Sequence, residues 1–302
     1  MRVLVAGASG FVGKRLCLAL EQEGHEVIAM TRDPKAYTGV GRPVGADVLQ
    51  PATLPSALAG CEAAYYLVHS LDVEDFEDKD ARGAMAFSTA ATDAGLSQVV
   101  YLGGLGNDAD DLSAHLRSRR EVERLLASAG VPVTTLRAGI IVGHGGISWE
   151  LTRQLVEHLP AMITPRWVRT RCQPVGISDV VRYLVGVLGV PEARERTFEI
   201  GGPEVLAYVE MMKRVAVLEG RHLLIVPVPI LSPKLSSRWL AFVTDVDRQT
   251  ARSLIDSMSN EVVVRDDAIR SVVPFAPMDY DDMVLQALKE RAREKRAQEK
   301  RA

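Results

Sequence analysis

The sequence of 302 residues predicts an α/β fold built around a doubly wound parallel sheet, with a smaller C-terminal α/β lobe. Over the first two hundred residues, short β-branched runs alternate with helix-like stretches. This alternation is typical of a parallel sheet with helices on both faces. The β-branched runs are also nearly continuous in apolar residues, as expected of strands that are buried on both sides.

The predicted elements follow one another along the chain in a regular order. Strands are expected at 2–6, 25–31, 63–69, 98–103 and 131–139. Helices are expected at 11–23, 79–95, 112–129, 148–158 and 178–189. A weak third strand precedes Asp47, and near residue 200 the rhythm changes to a short strand, a Gly-Gly-Pro turn and an amphipathic helix. The change marks the start of the smaller lobe.

A glycine-rich turn, GASGFVG, joins the first predicted strand to the first helix. Gly7 permits the tight turn, Gly10 lets the backbone approach a pyrophosphate, and Gly13 lets the helix pack closely on the sheet. The amino end of the helix offers free N–H groups to the phosphates. At the first strand–helix junction of an alternating chain, this pattern indicates a dinucleotide site on a Rossmann-type sheet. A tight turn without a ligand is the alternative.

The residues after the second strand bear on the choice of dinucleotide. Thr31 and Arg32 stand where an NAD site carries an acidic residue for the ribose 2′-hydroxyl. An arginine there binds a 2′-phosphate by charge-assisted hydrogen bonds, so we prefer NADP(H) over NAD(H). In the alternative, Arg32 is solvated and Asp33 takes the ribose. Asp47 either accepts from the adenine amino group or caps the helix near 53–59.

One predicted helix carries polar groups on the face that should be buried. In SAHLRSRREVERLL, the apolar face that includes Val122 continues backwards through His115, Ser118 and Arg119. An imidazole, a hydroxyl and a guanidinium therefore point toward the sheet rather than the solvent.

Composition excludes several classes of partner. A net charge of −3 gives no electrostatic argument for nucleic acid or an anionic membrane. The three cysteines, Cys17, Cys61 and Cys172, have no disulfide or metal-site spacing, so we expect no metal. The amino-terminal sequence lacks the apolar core of a signal peptide, and no apolar run is long enough to span a bilayer. We expect a cytoplasmic protein with a small-molecule substrate or effector.

The chain resembles the short-chain dehydrogenase/reductase superfamily, in its atypical, extended-like branch. The resemblance lies in GASGFVG, the TR after the second strand, GADVLQPATL and FEIGGPE. More narrowly, AAYYLVHSL, HLRSRREVERLL, LRAGIIVGHGG and RWVRTRCQPVGISDVVRYL are similar to segments of NmrA-like and YbjT-like NAD(P)H-binding proteins. It extends from residue 1 to about residue 290.

The expected domain organisation has three parts. Residues 1–202 form an NAD(P)-binding Rossmann domain. Residues 203–285 form the substrate lobe, with contributions from about 144–175. Residues 286–302 form a charged helix or tail.

The resemblance implies a set of positions around the dinucleotide. They are Gly7, Ser9, Gly10, Phe11, Val12 and Gly13 at the pyrophosphate; Thr31 and Arg32 at the 2′-phosphate; Asp47 at the adenine; Leu67, Val68 and His69 beside the riboses; and Gly103, Gly104, Ala138, Gly139 and Ile140 around the nicotinamide. For the apolar members, a purely structural place in the core is the alternative.

The resemblance also locates a catalytic helix with altered chemistry. Members of the superfamily use a Tyr-x-x-x-Lys pair and a serine near the end of the fifth strand. By register, His115 stands at the tyrosine position and Arg119 at the lysine position, and the strand end YLGGLG has no serine. We expect His115 to act as a general acid near neutral pH, and Arg119 to hydrogen-bond a ribose or stabilise an anion.

A basic segment after the fifth helix is the expected substrate pocket. The expected pocket residues are Arg166, Trp167, Arg169, Arg171 and Gln173, with Trp239 from the lobe. The alternatives are a solvated basic loop and a tryptophan that only packs the lobe.

These features favour an NADPH-dependent oxidoreductase that acts on a small electron-poor substrate such as a quinone, an enone or a carbonyl compound. The alternative is a sensor, regulator or assembly factor that binds NADP(H) without catalysis and has a protein partner. The altered catalytic positions favour this alternative. An isomerase or dehydratase that retains bound NAD is a third class that the fold allows.

Overall fold

The computed structural model describes residues 1–70, 75–159, 161–164, 166–227 and 256–300. The strands are β1 Arg2–Ala6, β2 Glu26–Thr31, β3 Arg42–Gly45, β4 Ala63–Tyr66, β5 Gln98–Gly104, β6 Val133–Ala138, β7 Ile141–Val142, β8 Ala161–Thr164, β9 Arg171–Cys172, β10 Val175–Gly176, β11 Thr197–Ile200, β12 Leu206–Ala207 and β13 Leu224–Pro227. The helices are α1 Phe11–Gln22, α2 Leu54–Leu58, α3 Phe76–Asp93, α4 Ala114–Ala127, α5 Ile147–His158, α6 Ile177–Gly186, α7 Tyr208–Leu218, α8 Ile269–Val272 and α9 Tyr280–Glu299.

Seven of the described strands form one parallel sheet in the order β11–β6–β5–β4–β1–β2–β3. The strand order reverses at β1, which pairs with β2 on one side and with β4 on the other. A reversal of this kind opens a crevice at the carboxyl ends of the strands, where such folds bind dinucleotides. The predicted Rossmann-type sheet is confirmed.

Helices cover both faces of the sheet. On one face, Tyr66, Phe87 and Tyr101 belong to a core that α3 and α4 close. On the other face, Leu16 and Tyr183 belong to a core that α1 and α6 close. The continuous apolar strands are therefore buried on both sides, as the sequence predicts.

A third core lies beyond the carboxyl ends of β5 and β6. It joins Leu105 and Ile140, which follow those strands, to Trp149 of α5, Met211 of α7 and Tyr280 of α9. Two small sheets tie the same region together, because β8 pairs with β13 and β9 pairs with β12. Residues on both sides of position 202 thus share this core, which covers the edge of the sheet where the crevice opens.

The charged C-terminal segment belongs to helix α9, which begins before the predicted boundary at residue 286. Helix α9 begins at Tyr280, where the Asp279 carboxylate accepts a hydrogen bond from the Asp282 N–H at 3.0 Å. Farther along, Glu290 pairs with Arg15 of α1, and Glu294 contacts His144 in the loop before α5. The helix is thereby held against the glycine-rich end of the sheet.

Two kinds of feature are missing from the described part of the chain. No cluster of three or more histidine, cysteine or acidic side chains is arranged to hold a metal ion there. None of the helices in the described ranges combines the length and apolarity needed to cross a membrane.

Candidate nucleotide and substrate site

The glycine-rich turn forms a cradle that has no room for side chains. Gly7 has φ +88°, and a Cβ there would lie 3.0 Å from the Leu67 carbonyl oxygen. A Cβ at Gly13 would lie 2.1 Å from the Gly7 carbonyl oxygen, well inside van der Waals contact. Helix α1 starts at Phe11, and no side chain caps its first turn. The backbone N–H groups of this turn therefore remain available to an anion.

Phe11, the first residue of α1, packs against residues that lie outside the glycine-rich turn. The Arg15 guanidinium lies 4.8 Å from the centre of the Phe11 ring and donates to the His144 carbonyl oxygen at 2.9 Å. A Cβ at Gly146 would lie 2.8 Å from the same ring. The loop before α5 thus packs directly on the residue that opens α1. Ser9 and Gly10 are exposed at the turn, and Val12 is half-buried.

Two neighbouring charged residues after β2, Arg32 and Asp33, have different surroundings. The Asp33 carboxylate accepts hydrogen bonds from the N–H groups of Lys35 and Ala36 at 3.1 and 3.2 Å. Arg32 is exposed and has no hydrogen bond or ion pair with another described residue. Thr31 is buried at the strand end. The carboxylate is occupied by its own turn, whereas the guanidinium is free to meet a ligand.

Asp47 does not cap the following helix. Its carboxylate accepts from the Leu49 N–H at 2.9 Å, which closes a local turn after β3. Helix α2 starts after Thr53, whose hydroxyl bonds backbone carbonyls rather than a helical N–H. The helix-cap alternative for Asp47 is therefore wrong, and a contact with adenine stays a prediction.

The end of β4 borders the glycine turn. The Leu67 N–H donates to the Ala6 carbonyl at 3.0 Å, which extends the pairing of β1 with β4 into the crevice. Leu67 and Val68 are half-buried, and His69 is exposed. The structure therefore brings together the first and fourth strand ends, as the predicted ribose contacts require.

A cavity of about 80 Å³ lies at the carboxyl ends of β5 and β6. Its lining residues are Gly104, Leu105, His115, Leu116, Ala138, Gly139, Ile140, Ser148, Thr152, Tyr208, Ser257, Met258 and Val262. Five of these, Gly104, His115, Ala138, Gly139 and Ile140, were predicted as nicotinamide or catalytic residues. Gly103 and Arg119 do not line the cavity, and a Cβ at Gly103 would face the Tyr101 ring at 3.0 Å.

The part of the lining that comes from α5, α7 and the segment after residue 255 was not predicted from the sequence. Ser148 and Thr152 are four residues apart on α5 and therefore share one face of that helix. This polar pair on an otherwise apolar face was the available signal. Nothing local in the sequence marks Ser257, Met258 or Val262, because only the tertiary fold brings them to the sheet edge.

His115 borders this cavity as a neutral imidazole. Its Nδ1 atom is buried and has no hydrogen-bond partner within the described part of the chain. Burial, together with the charges of Arg119 and His69, lowers the pKa of His115 to about 3. The expectation of an imidazolium acid near neutral pH is therefore wrong, since the ring holds no such proton at pH 7. A neutral imidazole still donates one N–H hydrogen bond.

Arg119 is committed to a buried ion pair. Its guanidinium contacts the Asp80 carboxylate of α3, to which the Ser118 hydroxyl also donates at 3.2 Å. Burial raises the pKa of Asp80, while the charge of Arg119 acts in the opposite direction. Arg119 is not among the residues that line the cavity, and its Nε atom is buried without a partner among the described residues. Since the contact with Asp80 uses Nη2, the guanidinium keeps other N–H groups for the predicted ribose contact.

Three of the predicted substrate-pocket residues, Arg169, Arg171 and Gln173, lie outside the described cavity. Arg171 is exposed and pairs with Glu261, and Arg169 is also exposed. The Gln173 side chain donates to the Gly202 carbonyl and accepts from the Val264 N–H, so it cross-links two segments. None of these three side chains lines the described cavity, and their assignment as pocket residues stays a prediction.

Of the other predicted pocket residues, Arg166 and Trp167 lie within the described part of the chain. Trp167 packs edge-on against Tyr208 with ring centres 5.8 Å apart, so it supports a lining residue from behind. Arg166 begins the short 3-10 turn that contains Trp167. Trp239 lies outside the described residues.

Comparison with protein families gives one match that covers more than half of the chain. A family model described as NAD(P)H-binding matches residues 7–164. The photosystem II assembly factor Ycf39 of Trieres chinensis is 22% identical over 249 residues, covering 80% of this chain and 76% of that protein. An uncharacterised protein of Mycobacterium bovis is 26% identical over 78% of this chain, but the match spans only 25% of that longer protein.

Solved structures show the same architecture. The triphenylmethane reductase of Citrobacter sp. superposes with a TM-score of 0.78 at 18% identity, covering 96% of this chain and 100% of that one. An NADPH-dependent quinone oxidoreductase of Escherichia coli, complexed with NADPH, superposes with a TM-score of 0.75 at 19% identity, covering 94% and 99%. At these identities the likeness shows the fold.

Proposed function

Since the chain belongs to the NAD(P)H-binding family, we propose that it is an NADP(H)-dependent oxidoreductase acting on a small, electron-poor acceptor. The observation that supports this most strongly is the cavity at the ends of β5 and β6, bordered by His115. In folds of this class, ligands bind at the carboxyl ends of the strands beside the reversal of strand order. A cavity at that edge is the place for an acceptor next to a nicotinamide.

The residues present fit a dinucleotide. The cradle excludes a Cβ at Gly13, disfavours one at Gly7 and Gly10, and leaves the first-turn N–H groups of α1 without a side-chain cap among the described residues, which suits a pyrophosphate. Ser9, Phe11 and Val12 would complete this contact, and Leu67, Val68 and His69 would border the riboses. Gly104, Ala138, Gly139 and Ile140 would flank the nicotinamide, and Asp47 the adenine.

The free guanidinium of Arg32 supports NADP(H) as the preferred dinucleotide. A 2′-phosphate would find an unpaired cation there, whereas the neighbouring Asp33 carboxylate is held by the N–H groups of its own turn. Charge-assisted hydrogen bonds of a guanidinium to a phosphate are roughly twice as strong as neutral ones.

The reduced nicotinamide, when bound, supplies a hydride to the acceptor. His115 would hold the acceptor's carbonyl oxygen by donating a hydrogen bond, without giving up a proton. Burial raises the pKa of Tyr208 well above its ordinary value, so this phenol also stays protonated. Acceptors whose reduced form is a stabilised anion, such as quinones and enones, need the least proton assistance. The side chains of Leu105, Ile140 and Val262 suit a flat apolar molecule of this kind.

A second candidate function is NADP(H) binding without catalysis, coupled to a protein partner. The ion pair of Arg119 with Asp80 favours it, because the guanidinium at the usual lysine position is already occupied. Gly103 and Gly104 also replace the serine that assists catalysis in related enzymes. The similarity to a photosystem assembly factor is in keeping with this alternative.

One experiment distinguishes the two. Purified protein is incubated with NADPH and, in turn, with quinones, enones and aldehydes, while the absorbance of the reduced nicotinamide is followed. The proposal predicts turnover that is faster with quinones and enones than with aldehydes. Tight NADPH binding with no turnover of any acceptor would instead favour the binding protein.

A further inference from the structure

A second arginine of α4 contacts the wall of the cavity from behind. Arg120 donates through Nη1 to the Gly104 carbonyl at 2.6 Å and through Nη2 to the Gly106 carbonyl at 2.7 Å. Its Nε contacts the Asp108 carboxylate. One guanidinium thus bonds three points of the segment that leaves β5.

This segment forms part of the cavity. Gly104 and Leu105 both line it, and Leu105 is 1% exposed. On the opposite side, the Leu105 N–H donates to the Ala138 carbonyl at 2.8 Å. The position of the Leu105 side chain in the cavity is therefore set by one backbone bond to β6 and by the two bonds from Arg120.

Arg120 is itself held in place by a balanced network of charges. Asp108 also pairs with Arg137 at 3.4 Å, and Arg137 makes two bonds of 3.0 Å to Glu123. Arg120 and Arg137 provide two positive charges, and Asp108 and Glu123 provide two negative ones. Because the charges cancel, we expect the network to affect the cavity by holding Arg120 in position rather than by its electrostatic field.

We propose that Arg120 is a positioning residue that fixes the Gly104–Gly106 segment, and hence the wall against which the acceptor lies. The inference rests on the proposed function only for its kinetic part. A guanidinium reaches two carbonyls at once because its N–H groups form a rigid fork. Lysine carries its three N–H donors on one nitrogen at the end of a flexible stem, so it does not reproduce this rigid fork.

The test compares Arg120→Gln with Arg124→Gln, a matched change one turn along the same helix. Arg124 is exposed and pairs only with Glu121 among the described residues. For each variant we would measure the kcat and KM for a quinone, the Kd of NADPH, the melting temperature, and amide hydrogen exchange in peptides spanning 103–107. Arg120→Lys provides a milder variant if the glutamine variant does not fold.

Arg120→Gln is expected to lower kcat about tenfold, because small displacements at a reacting site are costly, and to speed exchange at 103–107. The Kd of NADPH should change by less than kcat, about threefold or less, since Gly104 would contact only the nicotinamide while the glycine cradle and Arg32 are untouched. Arg120→Lys should lie between wild type and Arg120→Gln.

Two results would overturn the inference. One is exchange and kcat in Arg120→Gln that match those of Arg124→Gln. The other is a joint loss of kcat, NADPH affinity and melting temperature in both Arg120 variants, which would indicate general destabilisation. If the wild-type protein reduces no acceptor, the proposed function fails, and the exchange comparison alone then decides whether Arg120 holds the segment.

Discussion

Arg119 on α4 and Asp80 on α3 form an ion pair whose side chains are only 6% and 2% exposed. The two helices pack side by side on one face of the sheet, and this pair lies between them. A charge so deeply buried is tolerable only while its partner is present. The pair therefore fixes the helix that carries His115, one turn before Arg119.

Removing the acidic partner should destabilise the fold. Asp80→Asn leaves the guanidinium of Arg119 buried without a counter-charge, at an expected cost of about 3–5 kcal/mol in the free energy of unfolding. The matched change is Asp78→Asn on the same helix, where the pair with Arg82 is exposed and is worth about 0.5 kcal/mol or less. Urea denaturation measures both. Equal losses for the two variants would contradict a structural role for the buried pair.

The pKa of His115 leads to a prediction about pH. The value of about 3 in the folded protein lies below the ordinary value of 6.5, so the unfolded chain binds the proton more readily. The stability contributed by the neutral ring is complete above about pH 6.5 and is lost as the pH falls through the window down to about pH 3. Wild type should thus lose about 2 kcal/mol relative to His115→Gln between about pH 7 and pH 5.

Denaturation of both proteins at the two pH values measures this difference, and the imidazole resonances in NMR spectra provide a direct check. His115 should keep the chemical shifts of a neutral ring at about pH 5. A normal titration near pH 6.5 would show that the ring is solvated, and would restore the general-acid role that the burial excludes.

Arg32 should discriminate between the two dinucleotides. Arg32→Ala is expected to raise the Kd of NADPH about 10- to 100-fold, because a charge-assisted hydrogen bond contributes about 1.5–3 kcal/mol. The Kd of NADH should change little. Lys35→Ala, an exposed cation three residues away, is the control and should leave the preference intact. Fluorescence titration gives all the constants, and equal weakening of both dinucleotides by Arg32→Ala would contradict the preference for NADP(H).

The cradle at the start of α1 should not accept a side chain. In Gly13→Ala the new Cβ would lie 2.1 Å from the Gly7 carbonyl oxygen, so the turn has to move. We expect no measurable NADPH binding in calorimetry and a lower melting temperature. Lys14→Ala, an exposed neighbour on the same helix, should preserve both properties. Wild-type affinity in Gly13→Ala would show that the pyrophosphate does not bind there.

Sequence patterns that span only a few residues predicted much of the fold. The glycine spacing, the apolar strands and the alternation of elements depend on local geometry, and they predicted the sheet and the cradle correctly. His115 was placed beside the cavity by helical periodicity together with the family resemblance. Its pKa was not predictable, because the burial of the ring depends on elements that are distant in the chain.

Contacts between side chains that are remote in sequence were not predictable from these patterns. Arg171 and Gln173 suggest a basic pocket when only their own segment is considered, yet their partners Glu261 and Val264 lie about ninety residues later. Arg119 meets Asp80 across 39 residues. No periodicity identifies such pairs in a single sequence, because side-chain contacts of this kind are a property of the packed fold.

The most direct test of the proposed oxidoreductase is product analysis after mixing NADPH-loaded protein with a quinone. One hydroquinone is expected for each NADPH consumed, with the hydride from NADPH and the proton from solvent. In His115→Leu, the rate should fall about a hundredfold, because a hydrogen bond to the acceptor oxygen is lost, while the Kd of NADPH stays unchanged. Tight NADPH binding without hydroquinone from any quinone tested, or an unchanged rate in His115→Leu, would contradict it.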